Sequence, residues 1–308
     1  MATLRVLRPG MLTTIQDAGR VGFAHLGFRR QGALDTYALR WALKLAGCGQ
    51  DGAAIEVTLL GPTLELESGE AWLALAGADL GARLDGETWP PGETRRLRAG
   101  QRVTFGPPVE GLRAYLACTG GIAAAKVLGS RSTDLQGGFG GFAGRALAAG
   151  DALELGEATG ELWRAPVPTA VLDGDVRVLA GPREDLCGPA ALERLTAAPY
   201  RVRPDSDRVG LRLQGTPVPG APGDLLSEGL PVGGVEVPPS GQPIVLLAGR
   251  GSVGGYPVPA TVITPDLPLL GQVRPGEEIR FVQVTMVEAR AARAVLERRL
   301  ALAPTPLA

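Results

Sequence analysis

An internal repeat constrains the fold of this 308-residue chain more than any other feature. Four segments of the first half recur in the same order in the second half: Arg5–Leu7 as Arg177–Leu179, Asp17–Gly22 as Asp205–Gly210, Ser68–Gly77 as Ser240–Gly249, and Leu97–Phe105 as Val273–Phe281. Chance can produce one such match, but four in order indicate duplication of a single unit. We therefore expect two similar domains, at residues 1–160 and 171–290, with residues 157–170 as the linker between them.

The repeated unit is predicted to be rich in β-strands. The 45 glycines and 26 prolines of the chain suit short strands joined by tight turns. Apolar or alternating segments predict strands at residues 4–8, 55–61, 63–68, 71–77, 102–106, 114–118 and 152–156. The segment around Thr13–Arg20 has a loop-like composition. The sequence thus predicts a mainly β protein with a few helices.

Two helices are expected within this β-rich pattern. Asp35 is a suitable N-cap for a helix whose apolar face carries Leu39, Leu43 and Ala46. A second, amphipathic helix is predicted at residues 287–302, with its Arg/Glu face in solvent.

Charge and residue usage exclude several classes of function. The formal net charge is −1, so the chain lacks the basic excess typical of proteins that bind nucleic acid or anionic membranes. No apolar stretch predicts a membrane span or a signal peptide, and the three isolated cysteines favour a reducing cytoplasm. Lys44 and Lys126 lie in neither a P-loop nor a biotin-attachment context, and a single histidine without paired cysteines argues against a bound metal.

Three groups of polar residues remain as candidates for a site. The first contains Thr13, Thr14, Gln16, Asp17, Arg20 and Asp35, and the second is Ser130–Thr133 with the glycines that follow. Guanidinium, hydroxyl and carboxamide groups suit a ligand that carries a carboxylate and an amide. The same residues also fit a loop-bracing Asp17–Arg20 ion pair and an ordinary polar turn.

The third group lies between Asp224 and Pro257, where an apolar run is flanked by glycines. It contains Ser227, Glu228, Gln242, Gly254, Gly255 and Tyr256, and Arg208 upstream is the repeat counterpart of Arg20. Glycines on both sides of a buried strand leave backbone N–H groups facing outward, where they can bind an oxyanion. A turn-rich hairpin is the simpler interpretation of the same pattern.

Taken together, these motifs resemble the family of 5-oxoprolinase C subunits, also described as KipA-like, allophanate hydrolase subunit 2-like or biotin-dependent carboxyltransferase proteins. The resemblance rests on RPGMLTTIQDAGRVGFAHLG, QGALD, IEVTLLGPTL, RAYLACTGGI, LGSRSTD, SDRVGLRLQG, SEGLPVGGVEVPPSGQPIVLLA and VGGYP. It implies two cyclophilin-like β-barrel domains, a fold shared with the carboxyltransferase part of urea carboxylase. It also implies ATP-dependent opening of 5-oxoproline to glutamate, together with partners that resemble the A and B (KipI-like) proteins of the 5-oxoprolinase complex.

The resemblance assigns expected roles to the candidate residues. Arg20 or Arg208 would bind the substrate carboxylate, and Glu228 would act as acid or base with Asp17 as the second catalytic candidate. The amide would be fixed by Thr13, Thr14, Gln16 and Gln242, with Asp35, Ser227 and Tyr256 as further binding residues, and the Gly254–Gly255 backbone would face the oxyanion. ATP would enter with a partner protein and phosphorylate the carbonyl, so the chain alone should be inactive. We expect Asp17, Arg20, Glu228, Gln242 and Tyr256 to line one cleft.

The chain departs from the family pattern at three places. Residues 41–49 lack the usual asparagine-bearing stretch, Glu236 replaces a glutamine, and residues 251–253 read Gly-Ser-Val where a Gln-Thr pair is expected. Two alternative functions stay open. One is a carboxyltransferase-like domain that uses carboxybiotin from another protein, and the other is a non-catalytic partner of a KipI-like kinase inhibitor.

Overall fold

The computed structural model describes residues 2–157, 163–165, 174–181, 189–219 and 226–306, and its fold is mainly β, as predicted. The chain divides into two compact units. The first unit contains Met1–Arg20, Gln31–Val171 and Leu300–Ala308, and the second contains Val21–Arg30 and Leu172–Arg299. This division assigns residues 21–30 to the second unit, and the expected domain ranges stay a prediction.

The described part of the chain contains the following strands and helices. The strands up to the unit boundary are β1 (Ala2–Arg8), β2 (Leu12–Gln16), β3 (Ala54–Thr58), β4 (Thr63–Ser68), β5 (Glu70–Asp79), β6 (Arg83–Leu84), β7 (Glu87–Thr88), β8 (Glu93–Arg98), β9 (Arg102–Thr104), β10 (Glu110–Cys118), β11 (Ala152–Leu155) and β12 (Trp163–Arg164). Those that follow are β13 (Val176–Ala180), β14 (Tyr200–Val202), β15 (Gly210–Gln214), β16 (Glu228–Gly229), β17 (Gly234–Glu236), β18 (Ile244–Leu246), β19 (Val253–Gly254), β20 (Ala260–Val262), β21 (Glu278–Ile279), β22 (Phe281–Gln283) and β23 (Thr305–Pro306). The helices are α1 (Thr36–Leu45), α2 (Pro189–Ala197), α3 (Leu267–Leu270) and α4 (Met286–Ala301), with 3-10 turns at Ala24–Leu26 and Thr264–Asp266.

The first unit contains two sheets around one hydrophobic core. The sheets have the strand orders β11-β1-β4-β9-β6-β7 and β2-β3-β10-β5-β8-β12-β23. Side chains alternate along β1, so that Leu4 and Val6 are buried while Arg5 is only partly covered. They join Leu64, Leu73 and residues from both sheets in a single buried cluster. The core therefore lies between these two sheets and fixes the ends of their strands.

Helix α1 forms as the sequence predicts. Asp35 is its N-cap, and the Asp35 side chain accepts a hydrogen bond from the Ala38 backbone N–H. Leu39, Leu43 and Ala46 are buried, and the helix packs against β5 and β10. Gly47 adopts a left-handed φ of 66° immediately after the helix.

The second unit is built on an eight-stranded sheet with the order β21-β14-β15-β18-β17-β20-β13-β22. Strands β16 and β19 form a separate two-stranded sheet, in which Glu228 pairs with Gly254 and Gly229 with Val253. This small sheet holds several of the candidate residues of the third group. The apolar run expected as a buried strand supplies β18, although the strand is limited to Ile244–Leu246.

The first pair of repeat-matched segments forms a strand in each unit, but the pairing of the two strands differs. Strand β1 has two antiparallel neighbours, β11 and β4. Its repeat counterpart β13 is antiparallel to β20 and parallel to β22. Similar sequence therefore supplies strands of similar burial in different sheet connections, and the superposition of the two units stays a prediction. The expected linker at 157–170 lies largely outside the described residues.

The prediction of a loop around Thr13 was wrong. Leu12–Gln16 is strand β2, paired residue by residue with Ala54–Thr58 of β3. Two threonines and Ile15 are β-branched, and such residues favour extended backbone when a partner strand is present. The partner lies about 40 residues further along the chain, which local composition does not reveal.

Helix α4 matches the expected C-terminal helix but is less amphipathic than predicted. Ala289 and Leu300 are its buried hydrophobic residues, whereas Val287 and Val295 are exposed. Arginine and alanine occur around the whole circumference, so no continuous apolar stripe forms along this helix. Lys44 donates a hydrogen bond to the Leu300 carbonyl at 2.9 Å, which ties the end of α4 to α1. No helix in the described ranges is long and apolar enough to cross a membrane.

Candidate functional site

Asp17 organises a buried polar cluster in the first unit. Its Oδ1 atom accepts hydrogen bonds from the Gly19 N–H at 2.8 Å, from the Ser130 hydroxyl at 2.7 Å and from the Ser132 hydroxyl. Its Oδ2 atom accepts the Arg131 backbone N–H at 2.5 Å. These four protein donors satisfy the hydrogen-bonding needs of the buried carboxylate. Through them, Asp17 holds the Ser130–Ser132 turn against the end of β2.

Arg20 lies in the same cluster and is only 2% exposed. Its Nη2 donates to the Ser132 carbonyl, and its guanidinium stacks on the Phe139 ring with 4.6 Å to the centroid. Burial lowers the pKa of Arg20, opposed by the charges of Asp134 and Asp17. Its Nε and Nη1 atoms are buried without a hydrogen-bond partner among the described residues. A buried donor without a partner costs free energy, and a bound ligand with an acceptor would remove that cost. These two atoms are therefore candidates for ligand contacts.

Gln16 supplies an acceptor in the same region. Its Nε2 donates to the Thr14 hydroxyl at 3.0 Å and approaches the Thr133 carbonyl at 3.4 Å, while its Oε1 is buried without a partner in the described part of the chain. Gln16 and Arg20 thus bind the carbonyls of two consecutive residues, Ser132 and Thr133. We call Gln16, Asp17, Arg20, Ser130 and Ser132 the Asp17 cluster.

Thr13 is placed differently from the rest of its group. Its hydroxyl donates to the Pro9 carbonyl, and its own carbonyl accepts the Leu147 N–H at 2.9 Å. Both contacts brace neighbouring loops of the first unit.

Glycines let the Ser130–Gly144 segment close tightly over the cluster. Gly140 has a φ of 72°, and a Cβ there would collide with the Ser132 carbonyl and the Arg20 Nη2 atom. At Gly141, with a φ of 55°, a Cβ would collide with the Thr133 hydroxyl. The glycine-rich composition of this segment is therefore required by close approach to the polar residues.

Asp35 belongs to a second buried network, next to α1. The Tyr115 hydroxyl accepts the Asp35 N–H at 2.9 Å and donates to Glu56 Oε2 at 2.7 Å. Glu56 also accepts the Leu34 N–H at 3.0 Å. Burial, followed by the charges of Glu56 and Asp35, raises the pKa of Tyr115 well above its ordinary value. The network positions the start of α1.

Sequence reasoning missed Glu56, Tyr115, Gln31 and Asp134. Gln31 Nε2 donates to Asp134 Oδ1 at 3.0 Å, and the charge of Asp134 partly opposes the lowering of the Arg20 pKa by burial. Glu56 carried a usable signal, because a charged residue within an apolar strand is rarely buried without a partner. The Gln31–Asp134 contact joins residues about 100 positions apart and has no local signal.

The candidate residues of the second unit include several exposed groups. Ser227 and Glu228 are exposed, and Tyr256 is 48% exposed. Gly254 and Gly255 are half-buried on the β19 side of the small sheet. Glu228 and Tyr256 are thus accessible from solvent on an edge formed by β16 and β19.

Glu236 lies close to β19. It is 8% exposed at the end of β17, and a Cβ at Gly254 would stand 2.9 Å from its Oε1 atom. Burial raises the pKa of Glu236 above its ordinary value, partly offset by a hydrogen bond from the Tyr256 backbone N–H. In the same unit, burial and then the charge of Arg30 lower the pKa of Arg250 to about 10.

Gln242 and Arg208 are also engaged within the second unit. The Gln242 carboxamide accepts the Gly215 N–H at 2.9 Å and donates to the Gly215 carbonyl at 3.1 Å, as a neighbouring strand would. Arg208 is 7% exposed, and its carbonyl accepts the Gly249 N–H at 2.8 Å. The aspartates matched by the repeat differ, because Asp205 is exposed and pairs with Arg203 at 2.9 Å whereas Asp17 is buried.

The structure thus brings Thr14, Gln16, Asp17 and Arg20 together in the first unit. Glu228, Gly254, Gly255 and Tyr256 come together in the second. The cleft expected to unite the two groups stays a prediction. Within the described ranges, no group of three or more His, Cys, Asp or Glu residues is arranged to hold a metal ion.

Comparison with known proteins decides the family. Residues 26–283 match the protein family described as Carboxyltransferase domain, subdomain A and B. The chain is 41% identical to the 5-oxoprolinase C subunit of Escherichia coli (strain K12), over 94% of both proteins. The chain belongs to the family of 5-oxoprolinase C subunits. The corresponding Haemophilus influenzae protein is 36% identical over 90% of this chain and 89% of that protein.

A similar region occurs in a larger protein. The crystal structure of Kluyveromyces lactis urea carboxylase is similar with a TM-score of 0.86 and 27% identity. That similarity covers 97% of this chain but 29% of the urea carboxylase chain. The family fold is therefore also found as part of a longer chain.

Proposed function

We propose that this chain is the substrate-binding C subunit of an ATP-dependent 5-oxoprolinase. In this proposal it acts with proteins that resemble the A and B members of that complex to open 5-oxoproline to glutamate. The family relationship supports the reaction class, since the two bacterial relatives compared above are named as 5-oxoprolinase subunits. Because these relatives are named as subunits, we include assembly with partner proteins in the proposal.

One observation in the chain itself supports this substrate most directly. Among the described residues, Arg20 has two unpartnered buried donors and Gln16 has one unpartnered buried acceptor. A 5-oxoproline molecule carries a carboxylate next to a lactam N–H. The carboxylate would accept hydrogen bonds from Arg20, and the lactam N–H would donate to Gln16, which satisfies both sets of atoms. Asp17 would hold these residues in position through its contacts with the Ser130–Ser132 turn.

Opening the lactam requires water to add to the carbonyl carbon and the C–N bond to break, with a proton delivered to the leaving nitrogen. We assign proton transfer to Glu228, which is exposed and therefore accessible to a substrate or a partner. The Gly254–Gly255 backbone would stabilise the oxyanion. ATP supplies activation of the carbonyl when bound, and we place its site on a partner protein because this chain has no P-loop sequence.

The test is the steady-state kinetics of the complex reconstituted with its partner proteins. Replacing Arg20 by lysine keeps the charge but removes the planar pair of donors, so KM for 5-oxoproline should rise about a hundredfold with little change in kcat. Arg208→Lys, at a buried arginine of the second unit, is the matched control. An unchanged KM in a folded Arg20→Lys complex would contradict the carboxylate assignment.

Glu228→Gln tests proton transfer separately. The change removes the acidic group with almost no change in volume, and turnover should fall about a hundredfold. Full turnover in this variant would leave Glu228 without a catalytic role.

A carboxyltransferase activity is the second candidate. It is favoured by the family description and by the similarity to urea carboxylase. Supplying a biotin carboxylase, a biotinylated carrier, ATP, bicarbonate and an amide acceptor should then transfer the carboxyl group from carboxybiotin to the amide, with regeneration of biotin and no release of glutamate. Glutamate release with ATP and 5-oxoproline favours the first proposal.

A further inference from the structure

A polar pocket opens in the first unit next to the Asp17 cluster, with which it shares Arg131 of the Ser130–Ser132 turn but none of the cluster's own residues. It has a volume of about 470 Å³, which is within the usual range for small-molecule sites. Two glycine-rich turns form its walls, at residues 47–52 after α1 and at Gly120–Gly121 after β10. Its charged residues are Asp51, Lys126 and Arg131. We call this space the glycine pocket.

Bare backbone lines much of the glycine pocket. An added Cβ would meet nothing within 4 Å at Gly49 or Gly121. Gly49 also lacks a left-handed φ, so neither backbone conformation nor packing requires a glycine there. Gly120 is different, because a Cβ at that position would collide with the Glu157 carbonyl. Gly49 is exposed, so its lack of a side chain leaves this side of the pocket open to solvent.

The charge of the pocket is net positive. Arg131 is fixed in place, since its Nε donates to the Ala124 carbonyl and its Nη1 to the Asp51 carbonyl, both at 3.0 Å. Both partners are neutral backbone groups, which orient the guanidinium without neutralising it. Lys126 approaches the Asp51 carboxylate at 3.6 Å, and the Asp51 side chain is 90% exposed. Such an exposed, long ion pair is weak, so Lys126 can exchange this partner for a bound anion.

Cys48 adds no negative charge. It is half-buried, and its thiol donates to the Cys118 carbonyl at 3.1 Å. Burial raises the pKa of this thiol, partly offset by a hydrogen bond from the Gly121 backbone. The neutral thiol leaves the two cations and one exposed carboxylate to determine the field in the pocket.

We propose that the glycine pocket is a binding site for a small organic anion, whose phosphate or carboxylate group contacts Lys126 and Arg131. Arginine supplies directional donors for such a group and lysine a mobile point charge. The remaining volume would accept the rest of the molecule between the two glycine turns. This inference is independent of the proposed function, because none of it uses the substrate contacts of Arg20 or Gln16.

The test is isothermal titration of the full-length chain with pyrophosphate and, separately, with succinate, at constant ionic strength. We expect saturable binding of at least one of them, and the stronger one identifies the anionic group. Lys126→Gln should weaken binding about tenfold by removing a charged contact, and Gly49→Val should also weaken it by placing a branched side chain at the open side of the pocket. Arg83→Gln, which removes an exposed charge on another sheet of the same unit, should bind like the wild type.

Labelling of Cys48 with a maleimide gives a second measurement, resolved by peptide mapping. The anion that binds should slow labelling of Cys48 in the wild type but not in Lys126→Gln. Unchanged melting temperatures would establish that the variants are folded. The proposal is overturned if neither anion saturates, or if either Lys126→Gln or Gly49→Val binds like the wild type.

Discussion

Asp17 shows how one buried carboxylate can hold a turn and its neighbouring polar residues together. It receives four donors from backbone and side-chain groups, and these fix the turn that contacts Arg20 and Gln16. The sequence suggested an Asp17–Arg20 ion pair or a catalytic acid. Its contacts instead favour a positioning role, with Arg20 bound to the Ser132 carbonyl of the same turn.

Replacing Asp17 by asparagine tests this role. The nitrogen of the new carboxamide is itself a hydrogen-bond donor, and it would face one of the N–H or O–H donors that now bind the carboxylate. We therefore expect a loss of about 3 kcal/mol in the free energy of unfolding. Urea unfolding of the isolated chain measures it. Glu87→Gln, at an exposed glutamate, is the control and should change the stability little. A loss below about 1 kcal/mol would show that the Asp17 contacts are replaceable.

Glu236 gives a prediction about pH. Its folded pKa is raised above the ordinary 4.5 by burial, so the folded chain holds this proton more tightly than the unfolded chain. The stabilisation is complete below the ordinary pKa and is lost as the pH rises through the folded pKa. Glu236→Gln cannot ionise, and its stability relative to the wild type should therefore increase with pH across that window.

Urea unfolding at a series of pH values from below the ordinary pKa of a glutamate to neutrality measures this difference, with Glu87→Gln as the exposed control. Parallel stability curves for Glu236→Gln and the wild type would contradict the prediction.

At the scale of residues, the sequence identified groups better than roles. Thr14, Gln16, Asp17 and Arg20 were expected together because they are close in sequence, and they do lie together. Glu56, Tyr115 and Asp134 were missed because their partners come from distant strands and turns. Gln242 was expected to bind an amide, and its carboxamide meets the Gly215 backbone.

At the scale of elements, the glycine-rich segment 129–144 packs closely over the polar cluster of its unit. Gly138 and Gly140 both have left-handed φ values, 69° and 72°. A Cβ at Gly138 would meet nothing within 4 Å, whereas at Gly140 it would collide with Ser132 and Arg20. At both positions a side chain would strain the left-handed backbone, but only at Gly140 would it also collide with neighbouring atoms.

This pair defines a matched experiment. Gly138→Ala should cost about 1 kcal/mol through its φ alone, and Gly140→Ala about 2 kcal/mol more because the turn must move away from Arg20. Thermal or urea unfolding of the two variants gives the difference. Equal losses would indicate that the Ser132–Arg20 contact adapts without cost.

Helix α1 and strand β2 show why some elements were predictable and others were not. The N-cap, the apolar spacing and the terminal glycine of α1 are all local, and the helix was predicted correctly. The extended form of β2 depends on pairing with β3 and was missed. Local chemistry specifies helix ends, whereas strand formation depends on a distant partner.

At the scale of the whole molecule, the strand patterns and the glycine and proline content correctly indicated a mainly β protein. The repeat did not predict the sheet connections, since β13 has a parallel neighbour in β22 whereas β11 and β4 are both antiparallel to β1. Matching sequence segments specify burial and extended conformation, but the segments between them decide which strands pair.

In the proposed function, this chain contributes the substrate site and requires partners for turnover. The direct measurement is glutamate released from 5-oxoproline in the presence of ATP, by the purified chain and by the chain reconstituted with its A-like and B-like partner proteins. We expect glutamate release by the complex and none by the isolated chain, and we expect the complex to lose this release at low 5-oxoproline when Arg20 is replaced by lysine. Turnover by the isolated chain, or a complex that releases glutamate equally well with Arg20→Lys, would contradict it.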